Sequence, residues 1–390
     1  MPIINRVADL AEEIAAWRRD FHANPELLFA VHRTAGIVAE RLKAFGCDEV
    51  VTGLGRTGVV GVIKGRGTGS GRVIGLRADM DALPIHEATD VPYKSTVPGK
   101  MHACGHDGHT AMLPGAAKYL AETRNFDGTA VLIFQPAEEG GGGGHAMCRD
   151  GLMERFGVQE VYGMHNMPGI PVGAFAIRPG PMMASADRFS VTITGKGGHA
   201  ARPHECVDPV LVASHVVTAL QAIVSRNVDP LEAAVISVCS VKAGEAYNVI
   251  PQEATLLGTV RSLTDAVRDL CETRIRAVVE HVCAAFGATA AIEYGRGYPV
   301  TLNDAAKTEF MAEVAKAVAG AGAVDTATPP LMCAEDFSYM LNERPGAYIF
   351  LGNGDTAGVH HPAYDFNDEA APYGVSLWAK IVETGMPARA

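Results

Sequence analysis

Residues 101–109 read MHACGHDGH and put His102, Cys104, His106, Asp107 and His109 into nine positions, with glycines at 105 and 108. Imidazole, thiolate and carboxylate are the side chains that bind a borderline-soft divalent ion such as zinc. No other segment concentrates donors in this way. The spacing is not that of a structural zinc site, so the stretch taken alone also allows a polar loop whose histidines cap a helix or face solvent. Further donors lie far along the chain: the adjacent Glu138 and Glu139 in PAEEGGGGGH, His165 in GMHNMP, and His360 with His361 in GVHHP. Each has an ordinary explanation by itself. His165 could be a single satisfied histidine, and the glutamates a solvated acidic turn in a flexible glycine loop. Whether they make one site depends on the elements that carry them.

Residues 4–22 and 32–46 have helical spacing, parted by Asn24-Pro25 and ended at Gly46. Residues 58–64 and 72–77 read as strands. The GRGTGSG between them joins strand to strand, so a hairpin turn is expected and a phosphate loop is not. The second strand runs into RADMDALP, where Asp79 and Asp81 share one face of an extended segment. A helix follows the donor-rich stretch. Pro114 is tolerated in a first turn but breaks an interior, so this helix is predicted to start near Thr110 and to leave residues 104–109 in a loop. Residues 129–135 (TAVLIFQ) are a continuous apolar run, the mark of a buried strand, and end just before Glu138 and Glu139. A helix over 145–156, a strand over 158–165 that ends in His165, and a short strand over 172–177 come next.

At Ser185 the character changes. Alternation over 187–194 (DRFSVTIT) precedes GKGGHAARPH, a helix over 208–226 and a strand over 233–241. YNVIP, a strand over 254–262, a helix over 264–286 and a strand over 288–294 complete the run. The order β-α-β-β-α-β is that of a ferredoxin-like sandwich. The fold class expected is therefore α/β: an open, mostly parallel sheet formed by residues 1–184 and 296–390, interrupted by an inserted ferredoxin-like domain over 185–295. A helix over 304–320, the strand AYIFL and a last helix over 368–384 return to the first domain.

Composition narrows the possibilities. At 390 residues the chain is too long for one ordinary core. A formal charge of −11 argues against nucleic acid, whose phosphates need a basic face. No run of 18 apolar residues appears, so no membrane span is expected, and the N-terminal stretch lacks a signal peptide's apolar core. Eight cysteines without a CxxC pair fit reduced thiols and a cytoplasmic setting. Most should be buried apolar residues, as the surroundings of Cys239 and Cys283 imply.

The donors then fall into one pattern. Cys104 with His106, Glu138 with Glu139, His165, and His360 with His361 all lie in loops, most of them after buried strands. In a mostly parallel sheet such loops converge at one edge. Adjacent glutamates suit a division of labour in which one binds metal and the other moves a proton, as in metal-assisted hydrolysis.

The motifs GLRADMDALP, MHACGHDGHTAM, FQPAEEG, GMHN, GKGGHAARPH, NVIP, GTVRS, AEDFS and HHP occur in that order over nearly the whole chain. With them the chain resembles the aminoacylase–carboxypeptidase family of metallo-amidohydrolases, in the branch of hippurate hydrolases and auxin–amino-acid-conjugate hydrolases. The resemblance implies that Cys104, His106, Glu139, His165 and His361 bind one or two divalent ions, zinc or manganese, with cobalt or nickel possible. It implies that Glu138 is the general base and that His199, in the inserted lid, polarises the substrate carbonyl, often in a partner subunit's site. Asn248 and Arg261 would hold the substrate carboxylate, for which a guanidinium is a bidentate partner. His102, His109, Asp79 and Asp81 would support the ligands, and Met332 and Phe337 would be core. The substrate would be a small N-acyl amino acid, and the assembly a homodimer or homotetramer.

Other readings stay open at this stage. The amide could be that of an N-acetyl-diaminopimelate-type substrate or a dipeptide. Cys104 could be a nucleophile activated by His106. The scaffold could bind metal without catalysis, although no binding role needs both glutamates.

Overall fold

The computed structural model describes residues 3–388. The chain forms two compact units. One holds the residues up to Met182, Leu302–Pro329 and those from Asp336 onward; the other holds Met183–Thr301 and Pro330–Glu335.

The first unit opens with α1 (Asn5–Asp9), α2 (Ala11–Ala23) and α3 (His32–Ala44). Next come β1 (Glu49–Leu54), β2 (Gly58–Lys64), β3 (Val73–Asp79), α4 (His106–Thr123) and β4 (Thr129–Gln135). After these lie α5 (Gly143–Arg149), α6 (Leu152–Arg155), β5 (Glu160–Pro168), β6 (Phe175–Ala176) and β7 (Gly180–Met183). The second unit supplies β8 (Asp187–Thr194), β9 (Gly198–His199), α7 (Pro209–Arg226), β10 (Ala234–Ala243), β11 (Val249–Ile250), β12 (Glu253–Ser262), α8 (Asp265–Ala285) and β13 (Thr289–Arg296). The chain ends with β14 (Thr301–Asn303), α9 (Ala305–Ala319), β15 (Val324–Asp325), α10 (Ser338–Glu343), β16 (Gly346–Gly354) and α11 (Ala371–Gly385).

The main sheet of the first unit has eight strands in the order β1-β2-β4-β3-β5-β16-β6-β15. Its centre, β4-β3-β5-β16, is parallel. The loops that follow these four strands therefore leave at one edge. Helices α2, α4 and α11 pack into the core on this sheet through Ile14, Phe21, Leu113, Ala117, Val375 and Trp378, all buried.

Three sequence expectations for this unit are corrected. The hairpin between 58–64 and 72–77 does not form, because β4 lies between β2 and β3. The central place goes to β4, whose run from Ala130 to Gln135 is buried on both faces. The GRGTGSG link instead passes beside Asp127, which Gly67 meets as a bridge and whose carboxylate accepts Ser70 N at 3.2 Å. The hairpin that forms joins β2 to β1, a half-exposed strand that periodicity did not reveal. Second, α4 starts at His106 rather than near Thr110, so Pro114 lies inside it. Gly105 caps the helix with φ 91°, which turns the chain directly from Cys104 into the first turn. A proline in a helix interior costs about 3 kcal/mol. Burial offsets that here, since α4 is enclosed nearly all round from His106 to Leu120. Third, the first helical run is broken into α1 and α2, and the run over 145–156 is broken at Gly151, whose φ is 82°.

In the second unit the sheet order is β10-β12-β8-β13, with every neighbouring pair antiparallel. With α7 and α8 on one face this is the ferredoxin-like βαββαβ arrangement. Phe189, Val191 and Ile193 alternate inward from β8 and pack with Val216, Leu220, Ile275 and Val279. By length and composition α7 is apolar enough to cross a membrane, with mean hydropathy 1.3. Its inward stripe of Val212, Val216, Leu220 and Ile223 belongs to this core. The unit starts at Met183 rather than 185 and gains Pro330–Glu335. That segment joins it because Ala184 N donates to the carbonyls of Leu331 and Cys333 at 3.0 and 2.8 Å. Cys283 is buried, but Cys239 is exposed, contrary to expectation. It sits where the register of edge strand β10 shifts between Val238 and Ser240, and such a bulge turns a side chain off the alternating pattern. All eight cysteines are free thiols.

Candidate metal centre and its setting

Cys104 and His106 leave the chain on either side of Gly105. A Cβ at residue 105 would lie 2.1 Å from Asn166 Nδ2 and 2.4 Å from the Tyr364 hydroxyl, so only glycine fits. Asn166 Nδ2 donates to Cys104 O at 2.6 Å, and the Tyr364 hydroxyl donates to Asn166 Oδ1 at 2.5 Å. The residue after His165 thus fixes the backbone that presents Cys104.

The glutamates begin three residues beyond β4. Asp81 organises them: its carboxylate accepts Glu138 N at 2.9 Å and Glu139 N at 3.2 Å. Its main-chain oxygen also accepts His106 Nδ1 at 2.8 Å. The glycine run behind them is not a solvated flexible loop. Gly144 N donates to Asp336 Oδ2 at 2.8 Å, and Asp336 Oδ1 takes Gln135 Nε2 and Arg77 Nη2 at 2.7 and 3.0 Å. Gly143 packs so tightly that a Cβ would lie 1.6 Å from Pro136 O. Two non-glycine residues hold left-handed backbone beside this site, Ala137 at φ 55° and His360 at φ 64°. Strain of this kind persists where surrounding structure over-determines it, often at functional sites.

The donor atoms converge. Cys104 Sγ lies 3.3 Å from His165 Nε2. His106 Nε2 is 3.9 Å and His360 Nε2 3.3 Å from Glu139 Oε1. Donor atoms of Cys104, His106 and His165 lie within 4.8 Å of one another, as do those of Cys104, Glu139 and His360 and those of His106, Glu138 and Glu139. The structure therefore brings Cys104, His106, Glu139, His165 and Glu138 together and differs from the expected set at one position. His360 enters the cluster and His361 does not. His361 is exposed, and its Nδ1 accepts Ala363 N at 3.1 Å. His360 is itself half exposed, but its Nε2 reaches Glu139, whereas His361 is not part of such a donor group.

These residues fit a divalent ion. His106 Nδ1 and His165 Nδ1 are engaged with backbone oxygens, Asp81 O and Asn166 O, which leaves each Nε2 lone pair for a cation. His106 Nε2 is buried without a hydrogen-bond partner, as an atom awaiting a metal would be. His109 is disqualified by the same test. Its Nδ1 meets Asp79 Oδ1 at 2.7 Å and its Nε2 accepts Asn166 N at 3.0 Å, so no lone pair is left. Asp79 is engaged by His109 and by Arg77 at 2.9 Å. Arg77, Asn166 and Asp336 escaped the sequence reading, although GLRADMDALP, GMHN and AEDFS contained all three.

Protonation supports the same picture. His165 is held well below its usual range by burial and by the neighbouring His109, which keeps it a neutral ligand. Burial also opposes charge on His106, but Asp79 and Cys104 overcome it and lift His106 well above the imidazole range. His360 is raised to about 10 by hydrogen bonds to Cys104 and Glu139. Burial and the Glu139 charge push the Cys104 thiol up. Protons thus sit where a cation would displace them, and metal uptake releases protons.

Behind the first turn of α4, His22 is fully buried. Its Nδ1 meets Asp107 Oδ2 at 2.8 Å and its Nε2 meets Glu87 Oε1 at 3.2 Å. Burial disfavours the imidazolium, but the two carboxylates outweigh it and raise His22 from 6.5 to about 9. A raised folded-state value contributes stability that is complete below pH 6.5 and lost as pH rises through about 9. The urea midpoint should fall between these limits, with a contribution on the order of 3 kcal/mol. His22→Gln should flatten that part of the profile; an unchanged slope would show that His22 is not charged in the folded state.

His199, Asn248 and Arg261 occupy two places in the second unit. His199 pairs with Val249 across the β9–β11 ribbon, and Ala200 N donates to Asn248 O at 3.0 Å. His199 and Asn248 are thus neighbours, and both are exposed. Arg261 stands apart, near the far end of β12, where Nη1 donates to Thr259 and to Val260 O. It is eight residues from Glu253, roughly 26 Å at 3.3 Å per residue.

A largely buried set of thiol, imidazole and carboxylate donors at the edge of a parallel sheet, with a second carboxylate beside it, defines a metal-dependent hydrolase. The chain belongs to peptidase family M20/M25/M40, whose model matches residues 75–384. It is 44% identical over 381 residues to the hippurate hydrolase of Campylobacter jejuni, covering 98% of both chains. It is 38% identical over 383 residues to an Arabidopsis thaliana protein named IAA-amino acid hydrolase ILR1-like 4, covering 96% of this chain and 86% of that one. Among solved structures, the Bacillus subtilis YXEP protein, described as a dinuclear metal binding peptidase, matches with a TM-score of 0.83 and 34% identity over 97% of this chain and 99% of that one. The chain is a metallo-amidohydrolase of the hippurate hydrolase and auxin-conjugate hydrolase branch, with one or two divalent ions and a small-molecule substrate.

Proposed function

We propose that this enzyme hydrolyses the amide bond of N-acyl amino acids, with hippurate-like aroyl or acyl conjugates as the preferred class, and releases a carboxylic acid and a free amino acid. The observation that carries the reading is the convergence of Cys104, His106, Glu139, His165 and His360 donor atoms, with Glu138 beside them. These five residues would hold one or two ions, zinc or manganese first, cobalt or nickel as substitutes. An ion held there supplies Lewis acidity, polarising the amide carbonyl and acidifying water. Glu138 takes the proton of the attacking water and returns it to the leaving nitrogen. His199 polarises the carbonyl, while Asn248 and Arg261 hold the substrate carboxylate.

Burial argues against Cys104 as a nucleophile. It is 7% exposed, and its thiol is pushed up, away from the reactive thiolate.

The ribbon of His199 and Asn248 adjoins the Glu253 end of β12, where Gly197 N donates to Gln252 Oε1, and the roughly 26 Å from there to Arg261 is more than one N-acyl amino acid can span. We therefore assign His199 and Asn248 to a partner subunit's site, which requires at least a dimer. Sedimentation showing only monomer in a fully active sample would remove that assignment.

The substrate reading is tested by incubating metal-loaded protein with a panel of acyl–amino-acid conjugates and separating the products chromatographically. Activity should vanish with chelator and return with zinc, manganese, cobalt or nickel. Full activity in the metal-free protein, or no turnover of any conjugate, would reject it.

A further inference from the structure

The ligand segments arrive from distant parts of the chain, yet one buried cation reaches two of them. Arg18, on α2, is 1% exposed. Its Nη1 lies 3.6 Å from Asp107 Oδ2, and Asp107 directly follows His106. The same Nη1 donates to Asp365 Oδ1 at 3.2 Å, and Nε donates to Asp368 Oδ1 at 2.8 Å. These two aspartates follow His360 by five and eight residues. The surroundings repeat the linkage. Tyr93 lies under the guanidinium at 4.4 Å and donates its hydroxyl to Asp365 Oδ2 at 2.7 Å. One turn further along α2, His22 holds both Asp107 and Glu87. Next to Glu87, Ala88 N donates to Pro362 O at 2.8 Å, tying that loop to the His360 segment.

Stability alone is a poor reason for such a network. Replacing a buried ion cluster with packed apolar side chains is often neutral or stabilising. What this cluster does that apolar packing would not is set a distance between two chain segments through directed contacts from one guanidinium to carboxylates on both.

We propose that Arg18 is a positioning residue: it fixes the separation between the first turn of α4 and the loop after β16, so that His106 and His360 meet the metal preformed. This rests on reading those two histidines as ligands.

The test uses the full-length protein loaded with cobalt(II). Visible absorption reports coordination geometry and the Cys104 thiolate, and competition with a chelator reports affinity. Arg18→Met should weaken metal affinity by about 10–100-fold, the usual effect of losing a residue that orients ligands. It should also shift the cobalt bands, while Arg18→Lys restores part of the loss. Val38→Ala, a core change in α3, should lower the unfolding temperature and leave the cobalt spectrum unmoved. If Arg18→Met does not fold, Asp365→Asn removes only the contact on the His360 side and should shift spectrum and affinity in the same direction. Wild-type affinity and spectrum in whichever variant folds would overturn the proposal. Absence of a thiolate–cobalt band in the wild-type protein would instead overturn the ligand reading, and this proposal with it.

Discussion

Glu138→Gln should bind metal as the parent enzyme does and lose about 10²–10⁴-fold in kcat, with KM little changed. The substitution is isosteric and leaves Cys104, His106, Glu139, His165 and His360 untouched. It also keeps the main-chain N–H of residue 138 that Asp81 accepts at 2.9 Å, so the loop should stay in place. What disappears is a group that can take a proton from water and return it to the departing nitrogen. An amide does neither. The expected pattern is an equal fall in kcat and kcat/KM, the signature of an interaction made in the transition state. Metal analysis alongside steady-state kinetics checks it. A variant that loses metal would make Glu138 a ligand, and one that keeps more than a tenth of parental kcat would remove it from the proton path.

The second large effect separates two adjacent histidines. His360→Ala should weaken metal binding by about 10²-fold or more, while His361→Ala should bind metal normally. A protein-bound structural zinc is worth about 10–16 kcal/mol over four ligands, so one ligand accounts for roughly 3 kcal/mol, or about 10²-fold in affinity. The geometry behind the contrast is direct. His360 Nε2 is 3.3 Å from Glu139 Oε1, in a donor group with Cys104. Both residues are exposed, but His361 belongs to no such donor group and accepts a hydrogen bond from Ala363 N. Titration of each variant with zinc against a chromophoric chelator decides the matter. Equal losses in both would mean that the loop rearranges around the ion, and a loss confined to His361→Ala would restore the sequence assignment.

That pair also shows where sequence reasoning stops. Two consecutive identical side chains are equivalent on paper. They are separated only by a backbone conformation, φ 64° at His360, that the surrounding contacts impose on a residue not built for it. The same limit appears at Pro114. Local rules place it at the start of a helix, but enclosure of α4 on nearly every side outweighs the missing hydrogen bond and lets the helix begin at His106. The strand order is a third case. GRGTGSG has the composition of a hairpin, and β4 takes the place between its flanking strands because β4 is apolar on both faces. In each case a long-range packing gain exceeded a local preference.

The sequence by itself determined the donor types, the adjacent pair of glutamates, the parallel sheet with its inserted βαββαβ unit, and the membership that its ordered motifs imply. These are properties of residue identity and of short-range periodicity, and they survive any detail of packing. Only the tertiary structure decided which donors keep a free lone pair. His109 spends both nitrogens on Asp79 and Asn166, whereas His106 and His165 spend one each and turn Nε2 inward. It alone placed Arg18, 1% exposed, between the segments of His106 and His360. Hydrogen-bond partners brought together over hundreds of residues are fixed by the folded backbone, and no local pattern records them.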